Sequence, residues 1–185
     1  MSHNVDYWYW KNYLSKNEII KLNKLIERDY DRQEPKELAA QNRVKSSDVL
    51  QIEYRKIKDK LNLLFEECYS IGLRHFGYDL TPINDRSHLN FNIYSSKKQG
   101  QYESHYDSSD SDMYDVKLTC LINLSLKKYE GGKLEYLNTI WREIKELEKP
   151  GSVIMLKSHF HHRVTPVTSG ERRTLANFMI GPRFR

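Results

Sequence analysis

At His88 the spacing of apolar residues changes, and that change limits the folds open to this chain more than any other feature. Upstream, Ile19, Leu22, Leu25 and Ile26 recur three or four apart, as do Ile57, Leu61, Leu64, Phe65 and Cys68. That is the period of a helix with one buried stripe. Downstream, Leu89, Phe91 and Ile93 alternate with Asn90, Asn92 and Tyr94, which is the period of a strand. Residues 116–124 are apolar enough for a strand covered on both faces. Further strands are expected at 133–137 after Gly131-Gly132, at 152–156 after the Pro150-Gly151 turn, and at 172–180.

The upstream half reads in the same way. Ser15-Lys16-Asn17-Glu18 has the form of a capping box, with Leu14 and Ile19 placed as a hydrophobic staple, so a helix of about four turns starts there. Tyr7-Trp8-Tyr9-Trp10 reads as a strand laid over the core. A platform for stacked bases is the weaker reading, because neighbouring side chains on a strand face opposite ways. The polar stretch from Asp31 to Asp48 contains Pro35 and reads as a surface loop. Many short strands preceded by helices predict a mainly β fold, a sandwich or jelly roll buttressed by N-terminal helices.

Composition excludes several classes. A length of 185 residues suits one domain over 1–185, with helical support over about 1–80 and a β core over about 86–185. Hydrophobic residues at 38%, with 13 Tyr, 6 Phe and 3 Trp, are too many for a disordered chain. No run reaches the ~20 apolar residues a membrane span needs. The opening Met1-Ser2-His3-Asn4-Val5-Asp6 lacks the basic stretch and apolar centre of a signal peptide. Cys68 and Cys120 sit among apolar neighbours in no metal-ligand spacing, so reduced buried thiols in the cytoplasm are expected. The net charge of +5 comes from basic residues interleaved with acids, as in Lys56-Ile57-Lys58-Asp59-Lys60. This describes a solvated surface better than a nucleic-acid patch.

Two distant segments carry chemistry. In Tyr102-Glu103-Ser104-His105-Tyr106-Asp107, the residues His105 and Asp107 project to one side of a strand. Beyond them lies His159-Phe160-His161-His162-Arg163-Val164. Two imidazoles and one carboxylate with open positions suit non-haem Fe(II), whereas His105 and Asp107 by themselves read first as a hydrogen-bonded pair at a strand end. Asp110, Asp112 and Asp115 follow the first segment. They lack the Gly and terminal Glu of a calcium loop and read as a lip over the site.

Taken with Gly131-Gly132-Lys133-Leu134, Pro150-Gly151, His162-Arg163-Val164-Thr165-Pro166-Val167 and Gly170-Glu171-Arg172-Arg173-Thr174-Leu175, these segments make the whole chain resemble the 2-oxoglutarate- and Fe(II)-dependent dioxygenases, in particular the prolyl-4-hydroxylase-like group. The resemblance implies a double-stranded β-helix, a cupin-like jelly roll with iron at its mouth. It implies His105, Asp107 and His162 as iron ligands, with His161 the rival of His162 by adjacency and His159 at the surface or behind the ligands. Arg172 would bind the distal carboxylate of 2-oxoglutarate, a task suited to a planar guanidinium. Thr174 would support it, Tyr94 would stand near the co-substrate, and Leu121, Asn123 and Leu134 would line its pocket. Tyr102 and Phe178 would face the substrate. Arg173 would point away from Arg172 as a solvated or substrate-side cation.

The implied activity consumes O2 and 2-oxoglutarate, yields succinate and CO2, and hydroxylates an aliphatic C–H, with ascorbate as a possible reductant. An intact Asp107 favours hydroxylation, since related halogenases lack this carboxylate. The implied substrate is a prolyl residue in a peptide or protein. Free amino acids and other small molecules stay open, because Lys117 stands near where several relatives carry a peptide-binding arginine. A nucleic-acid oxidative demethylase is disfavoured because Phe178 occupies the position of that branch's second arginine. A non-catalytic barrel is disfavoured by the complete set of ligands and anchor. No membrane partner is expected.

Overall fold

The computed structural model describes residues 6–30, 45–108 and 112–183. In chain order they form β1 (Tyr7–Trp10), α1 (Lys16–Tyr30), β2 (Lys45–Ser46), β3 (Asp48–Glu53), α2 (Lys58–Ile71), β4 (His88–Ser95), β5 (Gln101–His105) and β6 (Tyr114–Asn123). There follow β7 (Glu130–Gly131), β8 (Leu134–Asn138), β9 (Ile140–Glu143), β10 (Val153–Lys157), β11 (His162–Val164), β12 (Val167–Ser169) and β13 (Glu171–Pro182). A six-stranded sheet runs β1-β10-β6-β13-β4-β3 and a five-stranded sheet runs β2-β5-β11-β8-β9, with β7 and β12 paired separately. The strand pairs are antiparallel, and the two main sheets make the expected jelly roll.

Period-two alternation sorts the six-stranded sheet into two faces. Leu118, Cys120 and Ile122 of β6, Leu175 and Met179 of β13, and Leu89 and Phe91 of β4 join one core with the helices. Into it α1 sends Ile19, Leu22 and Ile26, and α2 sends Leu61, Leu64, Phe65 and Cys68. Tyr94, Ile154 and Leu156 turn the other way and meet Leu134, Tyr136 and Val164 of the facing sheet in a second core. The helices therefore fix the back of the sheet, and its interior face is left for the site. Trp8 and Trp10 pack on the helical core and Tyr7 on the other, which bears out a strand laid over the core.

The cap at α1 is as expected: Glu18 accepts from the Ser15 backbone N–H at 2.7 Å, and the Ser15 hydroxyl accepts from the Glu18 N–H at 3.3 Å. Cys68 and Cys120 are buried free thiols with sulfurs 3.9 Å apart. Among the described residues no helix is long and apolar enough to cross a membrane.

Three expectations need correction. The supposed surface loop ends early, since Lys45–Ser46 pairs with β5 and Asp48–Glu53 with β4; residues 31–44 lie outside the described ones. As an edge strand, β3 fully buries only Ile52, too weak a pattern to read in sequence. Asp115 belongs to β6 and not to an acidic lip, Asp112 is exposed, and Asp110 lies outside the described residues. Arg173 does face away from Arg172, but it is neither solvated nor turned to a substrate. It donates to Glu27 at 2.6 Å, Asn23 Oδ1 at 2.8 Å and Glu171 at 2.6 Å, tying β13 to α1.

The turn before β10 depends on Gly151. Its φ is +81°, and an added Cβ would lie 2.1 Å from the Leu14 carbonyl oxygen. Gly151→Ala is expected to lower stability by about 3 kcal/mol, read as a fall in the denaturation midpoint. An unchanged midpoint would mean that the chain entering α1 can withdraw at no cost.

Candidate metal centre

The end of β5 and the start of β11 pair directly, with His105 opposite His162. Two residues beyond His105 the chain is still held in place, because the Asp107 N–H donates to the Ser158 carbonyl at 3.0 Å. The Asp107 carboxylate consequently lies between the rings, 3.6 Å from His105 Nε2 and 3.4 Å from His162 Nε2. One ligand atom from each residue falls within 4.8 Å of the others.

Which ring nitrogen is available follows from the backbone. His105 Nδ1 is 2.8 Å from the Glu103 carbonyl, and His162 Nδ1 is 2.9 Å from the Phe160 carbonyl. A carbonyl can only accept, so each Nδ1 carries a proton and Nε2 is the ring atom each histidine turns toward the Asp107 carboxylate. Such outer partners orient metal-binding imidazoles and raise their basicity.

Charge completes the picture. Burial, then the neighbouring His162, pushes His105 down to about 4, so it is neutral at ordinary pH. Burial would depress His162 too, but the Asp107 carboxylate and Phe160 carbonyl outweigh it and hold the ring above its usual value. Burial would raise Asp107, yet hydrogen bonds and charge from His162, with the Thr119 hydroxyl, keep it low and ionised.

The nearby Arg172 is 2% exposed and is the largest fully buried side chain. Its guanidinium carbon lies 5.3 Å from the centroid of the Tyr94 ring, opposite it in register. Among the described residues it has no carboxylate partner, which leaves a buried cation in want of an anion. Gly132 makes the room, since a Cβ there would sit 3.0 Å from Arg172 Cδ. Burial pushes the Tyr94 phenol up to about 12; Arg172 opposes that rise, while Tyr102 and Asp107 add to it. Beside Arg172 opens a cavity of about 520 Å³, lined also by Leu134, Tyr129, Ile144 and Leu147 but not by the two histidines or Asp107.

The other expected positions divide. Thr174 is buried on the Arg172 face, and Leu121 is half-buried against the interior core. Tyr102 stacks on the His105 ring at 3.5 Å between centroids, and Phe178, 38% exposed, stands opposite Thr119. His161 is exposed, its Nδ1 3.3 Å from the Ser104 hydroxyl and outside the cluster. His159 is exposed as well. Asn123 is buried: its Nδ2 donates to the Leu147 and Glu148 carbonyls at 2.8 and 3.0 Å and lies 3.4 Å from the Tyr129 hydroxyl, so its amide holds three residues that line the cavity beside Arg172.

Sequence reasoning missed Thr119, Ser158 and Lys45. The Ser158 hydroxyl donates to Thr119 Oγ1 at 3.0 Å, and Thr119 donates to Asp107 Oδ2. Thr119 shares a face of β6 with Leu121 and Asn123, so stepping back two residues would have found it. Thr119→Val is expected to weaken Mn(II) binding by about 10- to 100-fold, measured by calorimetry. Unchanged affinity would show that the hydroxyl does not set the carboxylate.

The donors present fit Fe(II) and 2-oxoglutarate. Two imidazole Nε2 atoms and one carboxylate oxygen suit a ferrous ion with positions to spare, and a buried guanidinium with no carboxylate partner among the described residues suits a dicarboxylate.

Comparison with known proteins agrees. The profile described as the 2OG-Fe(II) oxygenase superfamily matches residues 89–180. A prolyl-4-hydroxylase from Pseudomonas putida superposes with a TM-score of 0.72 at 15% identity, covering 97% of this chain and 94% of that one. A prolyl hydroxylase from Trichoplax adhaerens, solved with a hypoxia inducible factor peptide fragment, gives 0.70 at 15% identity, covering 96% and 84%. The carbocyclase SnoK from nogalamycin biosynthesis gives 0.69 at 14% identity, covering 96% and 80%. No curated protein sequence matches the chain. With its jelly roll, its two-histidine-one-carboxylate cluster and the profile match, the chain belongs to the 2OG-Fe(II) oxygenase superfamily, as an enzyme with a prolyl hydroxylase-like fold.

Proposed function

We propose that residues 1–185 form one oxygenase domain that hydroxylates an aliphatic C–H, as a prolyl 4-hydroxylase-like enzyme acting on a peptide or protein. His105, Asp107 and His162 would hold Fe(II), and Arg172 the distal carboxylate of 2-oxoglutarate. The observation that carries this reading is the pair of Nε2 atoms, each turned inward because a backbone carbonyl holds Nδ1, converging on one ionised carboxylate. When bound, Fe(II) with 2-oxoglutarate and O2 supplies an oxidant that converts C–H to C–OH while 2-oxoglutarate becomes succinate and CO2.

The chain's own contribution is placement. Asp107 is held ionised by its neighbours, and the Ser158-Thr119 hydroxyl chain holds Oδ2, the oxygen that faces His162, while Oδ1 faces His105. Arg172 supplies two parallel donors at the far end, and Tyr94 covers the guanidinium face. Tyr102 shields one face of His105 from water, and Phe178 stands at the exposed edge where a substrate would arrive.

A peptide is favoured because one solved relative of the same fold carries a peptide fragment. A small molecule is the second reading, favoured because Lys117 is buried against Asp115 at 3.2 Å and so withheld from a passing peptide. Two unoxidised buried thiols suit a reducing compartment such as the cytoplasm. The test is mass spectrometry of proline-containing peptides and free amino acids after incubation with the enzyme, Fe(II), 2-oxoglutarate and ascorbate. A peptide gaining one oxygen atom is the expected result; oxygen added only to small molecules would move the assignment to the second reading.

A further inference from the structure

Lys45 stands in a stretch that reads as surface loop, yet β2 carries it against β5, opposite Tyr102. Its half-buried side chain turns inward. Nζ donates to Asn92 Oδ1 at 2.8 Å and lies 4.6 Å from the centroid of the Tyr102 ring. Asn92 is itself buried, on the β4 face that carries Tyr94, and its Nδ2 donates to the Asn90 carbonyl at 3.3 Å. That bond leaves Oδ1 turned to the ammonium. Tyr102 in turn stacks on His105, and the charge of Lys45 is felt at both His105 and Asp107.

This is not how a surface lysine behaves. A long cationic side chain normally lays its stem on apolar surface and keeps its head in water. Here, among the described residues, the only contacts to Nζ are a neutral amide oxygen and a ring face, neither of which cancels its charge. An ammonium has three donors, and Asn92 uses one. Burial pushes the group down to about 8, as expected of a cation short of solvent and lacking a full counter-charge.

We propose that Lys45 is a second cationic anchor, which binds a carboxylate entering the barrel beside the two histidines and Asp107. It is separate from the carboxylate assigned to Arg172. Arg172 stands opposite Tyr94, whereas Lys45 is held by Asn92, which stands opposite Thr174 two residues further along β13. The inference rests on the oxygenase reading above. The carboxylate could come from the metal-binding end of 2-oxoglutarate or from the substrate, and the experiment separates the two.

The full chain loaded with Mn(II) is titrated with 2-oxoglutarate by calorimetry, as wild type and as two neutral variants, Lys45→Met and Lys45→Gln, each checked for an unchanged melting temperature. If both variants bind 2-oxoglutarate about tenfold or more weakly, and Lys45→Arg restores part of the loss, the carboxylate is that of 2-oxoglutarate. In the second arm, Mn(II)- and 2-oxoglutarate-loaded protein is titrated with a peptide ending in proline, as free acid and as carboxamide. A wild-type preference for the acid that the neutral variants lose assigns the carboxylate to the substrate. A wild type that binds 2-oxoglutarate, with neither readout moved by the neutral variants, overturns the inference alone. A wild type that binds no 2-oxoglutarate overturns it together with the reading beneath it.

Discussion

Asp107→Ala is expected to abolish 2-oxoglutarate turnover, by at least about 1,000-fold, while the protein stays folded. Disturbing an outer partner of a metal ligand typically costs about 10- to 100-fold, and this substitution removes a ligand outright. It also removes the group that turns the site toward a cation: His162 loses the carboxylate that holds it above its usual value, and the Ser158-Thr119 chain loses its acceptor. The fold should survive, because the strand ends here are fixed by backbone pairing of β5, β11 and β8 and not by the carboxylate. Succinate release gives the first readout and circular dichroism the second. Succinate formed at the wild-type rate by the folded variant would refute Asp107 as a ligand.

Arg172→Ala should raise the KM for 2-oxoglutarate by about 100-fold, with a smaller effect on kcat. A bidentate guanidinium–carboxylate pair in a buried setting is worth two charge-assisted hydrogen bonds. Arg172→Lys should recover only part of that, since an ammonium cannot match a planar carboxylate at two points. Stability gives a second and opposite signature. In the ligand-free protein Arg172 is a buried cation with no carboxylate partner among the described residues, so replacing it by the uncharged, similarly long Met should leave the melting temperature level or raise it. What disappears is the rise in melting temperature that wild type shows on adding 2-oxoglutarate. A KM unmoved by Arg172→Ala would assign the anchor elsewhere.

The residues that could be read in sequence are those whose spacing matches a structural period. Leu89 and Phe91 against Tyr94 separated the two faces of β4, and the same alternation put Arg172 and Arg173 on opposite sides of β13. The capping box at Ser15 needs only four consecutive residues, so it too was legible. What escaped was set by tertiary pairing. Nothing local marks Lys45 as an interior residue, because only its pairing with Tyr102 turns it inward. Asn23 sits on α1 beside buried Leu22, where its amide donates to the Ile19 and Leu124 carbonyls and its oxygen accepts from Arg173. Such a clasp joins residues about a hundred or more positions apart and leaves no spacing to detect. The strand face of Asn123 was legible, but its partners Leu147, Glu148 and Tyr129 lie in turns that no motif specifies.

Three side chains are proposed to share one ion, and a crystal soaked with Mn(II) and 2-oxoglutarate tests that most directly through its anomalous difference map. A single strong peak is predicted among His105 Nε2, the Asp107 carboxylate and His162 Nε2, with the dicarboxylate reaching from it to Arg172. A peak at another group of side chains, or a dicarboxylate whose far end lies away from Arg172, would contradict it.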